Sequence, residues 1–173
     1  TFVMEHENMS YVEALKTVAR KYGIEVEDRE MSEEDRRRND DRESMMAVNG
    51  YAAEYFRETM HQTDEGRSVG LSYLRGRGGS DAMITRFQLG YCPAAGDRFT
   101  RTALSKGYKE QFLTATGLTI KRENGSYYDR FCGRVIFPIH SVSGRVVAFG
   151  GRTMRTDKNT AKYVNSPESE VYS

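Results

Sequence analysis

The chain of 173 residues holds only two cysteines, Cys92 and Cys132, and three histidines, His6, His61 and His140. None of them forms the close C-x-x-C or C-x-x-H pair that lets four atoms converge on zinc, so no metal site is expected within the segment. Two scattered thiols build no disulfide framework either, and they suit a reducing, cytoplasmic setting. No apolar run approaches the roughly 18 residues of a membrane span, which excludes a membrane-spanning helix. No nucleophile stands beside a base around His140, and Asp97, Asp129 and Asp157 are isolated, without the D-x-D pairing that suits Mg²⁺. The first residue is Thr1, with no basic-then-apolar leader behind it, and the simplest expectation is an internal piece of a longer protein.

What is present is charge, unevenly placed. Residues 1–65 carry 9 Lys/Arg against 17 Asp/Glu, and residues 66–173 carry 17 against 8, so a formal net charge of +1 hides an acidic part followed by a basic one. The second part is expected to meet a polyanion. Its cations are interleaved with aromatics and glycines, as in Arg130-Phe131 and Gly150-Gly151-Arg152. A basic face that binds an acidic protein is the alternative.

The hydrophobic periodicity changes along the chain. Ser10 and Glu13 form a capping box ahead of Val12, Leu15, Val18 and Ala19, predicting a helix over Ser10–Tyr22 that Gly23 closes. Residues 25–43 are dominated by charge and read as a linker between modules or a solvated helix, the linker being favoured. Met45, Val48, Tyr51, Ala52, Tyr55, Phe56 and Met60 then make a wide helical stripe, read as core. Short helices are expected at Gly66–Arg75 and Ser80–Phe87, Ser80 being an N-cap, with a turn at Gly76-Arg77-Gly78-Gly79. Two more are expected at Phe99–Leu104 and Glu110–Thr116. After Gly117 the period falls to two. Leu118–Lys121 reads as a strand followed by an Asn124-Gly125 hairpin, Val135–Phe137 as a strand ending at Pro138, and Arg145–Phe149 as another after the Ser143-Gly144 turn. Helices first and antiparallel strands afterwards predict an α+β architecture.

The candidate binding groups are the cations near glycine turns and strand ends: Arg86, Arg130, Arg134, Arg152 and Lys162. Arginine grips phosphate with a planar fork, lysine as a point charge. The Gly150-Gly151 pair before Arg152 is expected to open backbone N–H groups to an anion.

Four strings, in order, carry a resemblance. Arg86-Phe87-Gln88-Leu89-Gly90-Tyr91-Cys92-Pro93 resembles the RFxLGYxP signature of bacterial DnaG-type DNA primases. The block from Tyr128 to Ile139 resembles their YDRFxxRxxFPI, Gly144 to Arg152 is similar to GxVxxFGGR, and Lys162 to Glu168 resembles KYxNSPE. Together they cover nearly the whole chain. The resemblance implies the N-terminal subdomain of a primase RNA polymerase core at residues 44–173, a charged linker at 25–43, and the tail of a zinc-binding domain at 1–24. It implies short RNA primers made on single-stranded DNA for replication, a DNA-directed RNA polymerase activity that the fragment alone should lack. A non-catalytic module binding single-stranded nucleic acid is the alternative.

By the same resemblance Arg86, Arg152 and Lys162 receive nucleotide phosphates, while Arg130, Arg134 and Asn165 track template or RNA–DNA primer-template. Where some family members have a third arginine directly after YDRF, this chain has Cys132. The acids that bind Mg²⁺ are expected in a toprim fold beyond Ser173, and the Zn²⁺ ligands in a ribbon before Thr1. A replicative helicase is expected to dock on a C-terminal domain, and no membrane partner is expected. Phosphoryl transfer rests on positioning and electrostatic stabilisation, so this segment is expected to supply the cationic wall of a two-sided cleft.

Overall fold

The computed structural model describes residues 32–173, so the helix expected at Ser10–Tyr22 and the tail at 1–24 lie outside the described residues. Contacts divide the chain into Thr1–Arg37 and Arg38–Ser173, and the elements below belong to the second unit apart from the opening residues of the first helix.

That helix, α1, runs from Glu33 to Gln62. Residues 33–43 are thus helical where a linker was expected. The reason is local: Ser32 Oγ accepts from Asp35 N–H at 3.1 Å, capping a first turn rich in Glu33, Glu34 and Asp35, which favour the positive end of the helix dipole. Glu43 then meets Arg145 in a two-pronged pair at 3.0 and 3.1 Å. The predicted apolar stripe buries Met45, Val48, Ala52, Phe56 and Met60, together with Asn49, whose Nδ2 donates to the Val147 carbonyl at 3.2 Å.

A π-helical turn, Gly66–Leu71, leads directly into α2, Ser72–Gly76; α3 follows at Asp81–Arg86. Ser80 Oγ caps α3 by accepting from Met83 N–H, as expected. Next come β1 (Gly90–Tyr91), α4 (Arg98–Ser105), α5 (Glu110–Ala115), β2 (Thr119–Lys121), β3 (Tyr127–Asp129), β4 (Arg134–His140), β5 (Val146–Thr153) and β6 (Tyr163–Asn165). β2 and β3 form the hairpin that Asn124-Gly125 predicts. The other strands form one antiparallel sheet in the order β1-β4-β5-β6.

Two elements of this sheet run past their expected ends. β4 continues through Pro138 to His140. Phe149, opposite Pro138, directs its own N–H and carbonyl to Ser166, so the proline nitrogen points away from β5 and past the short β1, where no ladder bond is lost. β5 continues through Gly150-Gly151 to Thr153.

Each sheet face packs on a different core. On one, Phe56 of α1 meets Phe149 edge-on at 5.5 Å and Phe99 at 5.1 Å, with Ile136 and Phe131 in the same cluster. On the other, Val135 joins Met60, Leu71, Leu74, Ile84 and Tyr91. Gly90 allows β1 to lie against α1, because a Cβ there would stand 2.7 Å from the Phe56 backbone carbon. The first half of the RFxLGY string is a helix stop. Gln88 takes φ +55°, the one positive-φ non-glycine among the described residues, and Leu89 N–H closes on the Ile84 carbonyl at 3.1 Å.

Asp129 of the YDRF block is buried and acts as a hub. Its two oxygens accept from Phe99 N–H and Thr100 N–H at 2.9 Å each and from Thr100 Oγ at 2.6 Å, so it serves the start of α4 from another strand. Burial pushes its carboxyl upward, and these bonds oppose that shift. Asp129→Ala strands two buried N–H groups and should cost about 2–4 kcal/mol of stability in urea unfolding.

Candidate functional site

The row of cross-strand neighbours Tyr91, Val135, Arg152 and Tyr163 crosses all four strands on the face opposite Phe149 and Ile136. Its β1 end is tied down: Tyr91 Oη donates to Glu65 Oε2 at 2.7 Å, and the same oxygen accepts from Ala94 N–H at 2.8 Å. Its β5–β6 half carries the cation. Arg152 Nε donates to the Tyr73 hydroxyl and Nη1 to the Tyr163 hydroxyl at 2.6 Å, while the guanidinium lies 5.7 and 5.2 Å from those two ring centroids. The bond to Tyr73 comes first in pushing the Arg152 pKa above its usual value, so the group is a permanent cation. Arg152 sits on an inner strand with two aromatic arms. Its position is set before any ligand arrives.

A cleft of about 320 Å³ opens beside it, lined by Tyr73, Arg77, Arg152, Asp157 and Lys162 among others. A second cleft of about 440 Å³ holds Arg86, and Arg77 borders both. Arg86, Arg152 and Lys162 are thereby brought to two adjoining clefts joined by Arg77. Asn165 lies on the same sheet face, opposite Gly150, where its Oδ1 would stand 3.3 Å from an added Cβ.

The remaining two arginines sit elsewhere. Arg134 is buried at 8% exposure, and its Nη1 donates to the carbonyls of Gly151 at 3.4 Å and Lys162 at 3.3 Å. Desolvation lowers its pKa. It is therefore no member of an exposed basic surface; it holds the backbone of the residue that follows the 154–161 loop. Arg130 is half-buried, and its Nε donates to the Gly117 carbonyl at 2.6 Å, next to Pro167. It lines neither cleft.

The Gly150-Gly151 pair works differently from expectation, whereas Gly76-Arg77-Gly78-Gly79 is the turn expected. Gly150 and Gly151 lie inside a strand paired on both sides, so their backbone groups serve the ladder and face no anion. Gly151 is required by packing instead, since a Cβ would meet Phe131 Cδ1 at 2.7 Å and Arg134 Cδ at 3.2 Å. In Gly76-Arg77-Gly78-Gly79, the N–H groups of residues 77–79 return to carbonyls of residues 73–75, which ends α2 and leaves no phosphate cradle. What that turn does present is the Arg77 side chain, 5.1 Å over the Tyr73 ring. Arg77 and Tyr73 escaped the sequence reading, although their i, i+4 spacing at a helix end was the signal that an aromatic and a cation share one face.

Among the described residues no group of three His, Cys, Asp or Glu side chains converges as metal ligands. Cys92 is fully buried and burial raises its pKa far up, so it stays a thiol. No helix among the described residues is long and apolar enough to cross a membrane.

Fold and clefts define the class first: an α+β module with one sheet face sealed by aromatic packing and the other presenting positioned cations. The chain belongs to the family of the DNA primase catalytic core, N-terminal domain, whose model matches residues 55–173. It is 36% identical over 173 residues to the DNA primase of Halalkalibacterium halodurans and 40% identical over 172 residues to that of Deinococcus radiodurans. Each match covers 99% of this chain and 28% of the relative, so the chain spans little more than a quarter of their length. Among solved structures it is similar to a DnaG primase catalytic domain bound to ssDNA, with a TM-score of 0.72 and 30% identity over 78% of this chain and 42% of that one. The RNA polymerase domain of Mycobacterium tuberculosis DnaG, bound to a DNA duplex with a 6-nucleotide overhang, matches with a TM-score of 0.69 and 33% identity over 76% of this chain and 40% of that one. The zinc-binding and RNA polymerase domains of the Aquifex aeolicus primase match 99% of this chain and 39% of that one, at 27% identity and a TM-score of 0.65.

The two glycines give a paired test. Gly151→Ala should lose about 1–3 kcal/mol in urea unfolding by overpacking against Phe131. Gly150→Ala, whose Cβ would meet a rotatable Asn165 amide at 3.3 Å and the Phe137 carbonyl at an ordinary 4.0 Å, should lose less than about 1 kcal/mol.

Proposed function

We propose that this chain supplies the basic face for template and nucleoside triphosphate in a DNA-directed RNA polymerase that makes short RNA primers on single-stranded DNA in the cytoplasm. Arg152 and Lys162 take the triphosphate, and Arg86 takes phosphate at the adjoining cleft. Asn165 and the free end of Arg130 guide template or RNA–DNA primer-template, and Arg134 acts through the backbone of Lys162. The observation that carries the reading is Arg152, held between two tyrosines on an inner strand with Arg77 and Lys162 lining the same cleft. A preset cation stabilises developing charge on a transferring phosphoryl group at no reorganisation cost. Phosphate contacts and no base-edge readers suit a template of any sequence. The ssDNA and overhang DNA bound by the structural relatives support the same reading.

In the full-length enzyme Mg²⁺ would be held by acids on the facing side of the cleft and Zn²⁺ by a separate ribbon, and a helicase would engage a further domain. The part of the residues described here is to bind and orient. Arg152→Ala and Lys162→Ala in the full-length protein should each lower primer yield on a single-stranded template by about 100-fold or more while circular dichroism stays unchanged. Near-normal yield would overturn the assignment.

A further inference from the structure

The cleft that holds Arg86 has a second character that phosphate binding leaves unexplained. Leu74, Ile84 and Leu89 line it as buried residues. Met83, Phe87 and Phe137 line it too, at 43%, 55% and 36% exposure, and they are three of the six exposed large hydrophobics among the described residues. Apolar side chains gathered on one concavity mark a binding surface far more often than isolated ones do.

The cleft has no carboxylate in its lining. Arg77 and Arg86 both border it, and neither has an ion-pair partner among the described residues. The Arg86 guanidinium stays 5.9 Å from the Phe87 centroid, so cation and ring stand side by side on the rim. At the far side His140 Nε2 lies 3.3 Å from Gln88 Oε1, which ties the end of β4 to the α3 stop.

An apolar slot beside two unpaired guanidiniums matches a flat ring carrying an adjacent anion. We infer that this cleft takes one unstacked base of the single-stranded template, its ring against Phe87 and Phe137 and its phosphate on Arg86 and Arg77. The inference rests on the template-binding reading and names where a base, as distinct from the backbone, is received. A triphosphate fits the neighbouring cleft better, where Arg77, Arg152 and Lys162 line one space. An acidic protein segment would satisfy the cations and leave the aromatic rim bare. Stacking on an aromatic face is indifferent to base identity, which a general template requires.

The test is fluorescence anisotropy of the full-length protein with labelled oligodeoxythymidylate and with an abasic strand of the same length. Wild type should bind the intact strand about tenfold more tightly. Phe87→Ala and, independently, Phe137→Leu should narrow that ratio about threefold or more at an unchanged salt slope, since every phosphate contact remains. Arg86→Ala should keep the ratio and make the slope of log K against log salt shallower by about one.

An unaltered ratio in both phenylalanine variants overturns the inference. If that unaltered ratio comes with a raised KM for nucleoside triphosphate, the base received is the monomer's. If it comes with a lowered Tm, the cleft is a packing surface for another segment. Failure of wild type to bind either strand refutes the template reading as a whole, whereas binding that ignores missing bases refutes only this inference.

Discussion

The close contact at Gly151 is the constraint on which the rest of the molecule hangs. Because no Cβ stands there, Phe131 and the Arg134 stem press against β5 from the core side. Phe131 then meets Phe149, Phe149 meets Phe56, and α1 is fastened to the sheet. The freed space also lets the Arg134 guanidinium reach the carbonyl of Lys162. On the opposite face, the very next residue is Arg152. Alternation along a strand forces this division: what packs at Gly151 cannot be exposed, and what stands at Arg152 cannot be buried in that core.

Buried polar groups extend the same logic. Asp129 and Arg134 belong to the block that reads as most basic and most suited to a surface, yet both point inward. Each satisfies backbone groups that no regular ladder reaches, the start of α4 for Asp129 and the entry to β6 for Arg134. Charged side chains work here as connectors between segments distant in sequence. Their hydrogen bonds offset a desolvation cost that an apolar residue would avoid but whose geometry it could not supply.

The α+β order, the stripe of α1, the Ser80 cap and the Asn124-Gly125 hairpin were legible because each rests on neighbours a few residues apart. β1 and β6 were not, since strands of two and three residues hold no period and exist only by pairing with β4 and β5. The charged opening of α1 read as linker because composition outweighed the Ser32 cap. Arg152 and Lys162 were visible as candidates, but what distinguishes Arg152 from any surface arginine is Tyr73, 79 positions earlier in the chain. Arg134 misled for the complementary reason: a one-dimensional pattern of cations carries no sign of which face each side chain takes. Arg77 was hidden behind the glycines around it.

The two cations of the smaller cleft differ in how much freedom they surrender. Arg152 belongs to an inner strand and leans on two tyrosines, so its side-chain entropy is already lost in the folded chain. Lys162 keeps an exposed stem, even though its carbonyl is pinned by Thr153 and Arg134. An arriving anion therefore meets one immovable charge and one that sweeps an arc around a fixed root. Such a pairing tolerates ligands of several lengths at one end while demanding strict registration at the other.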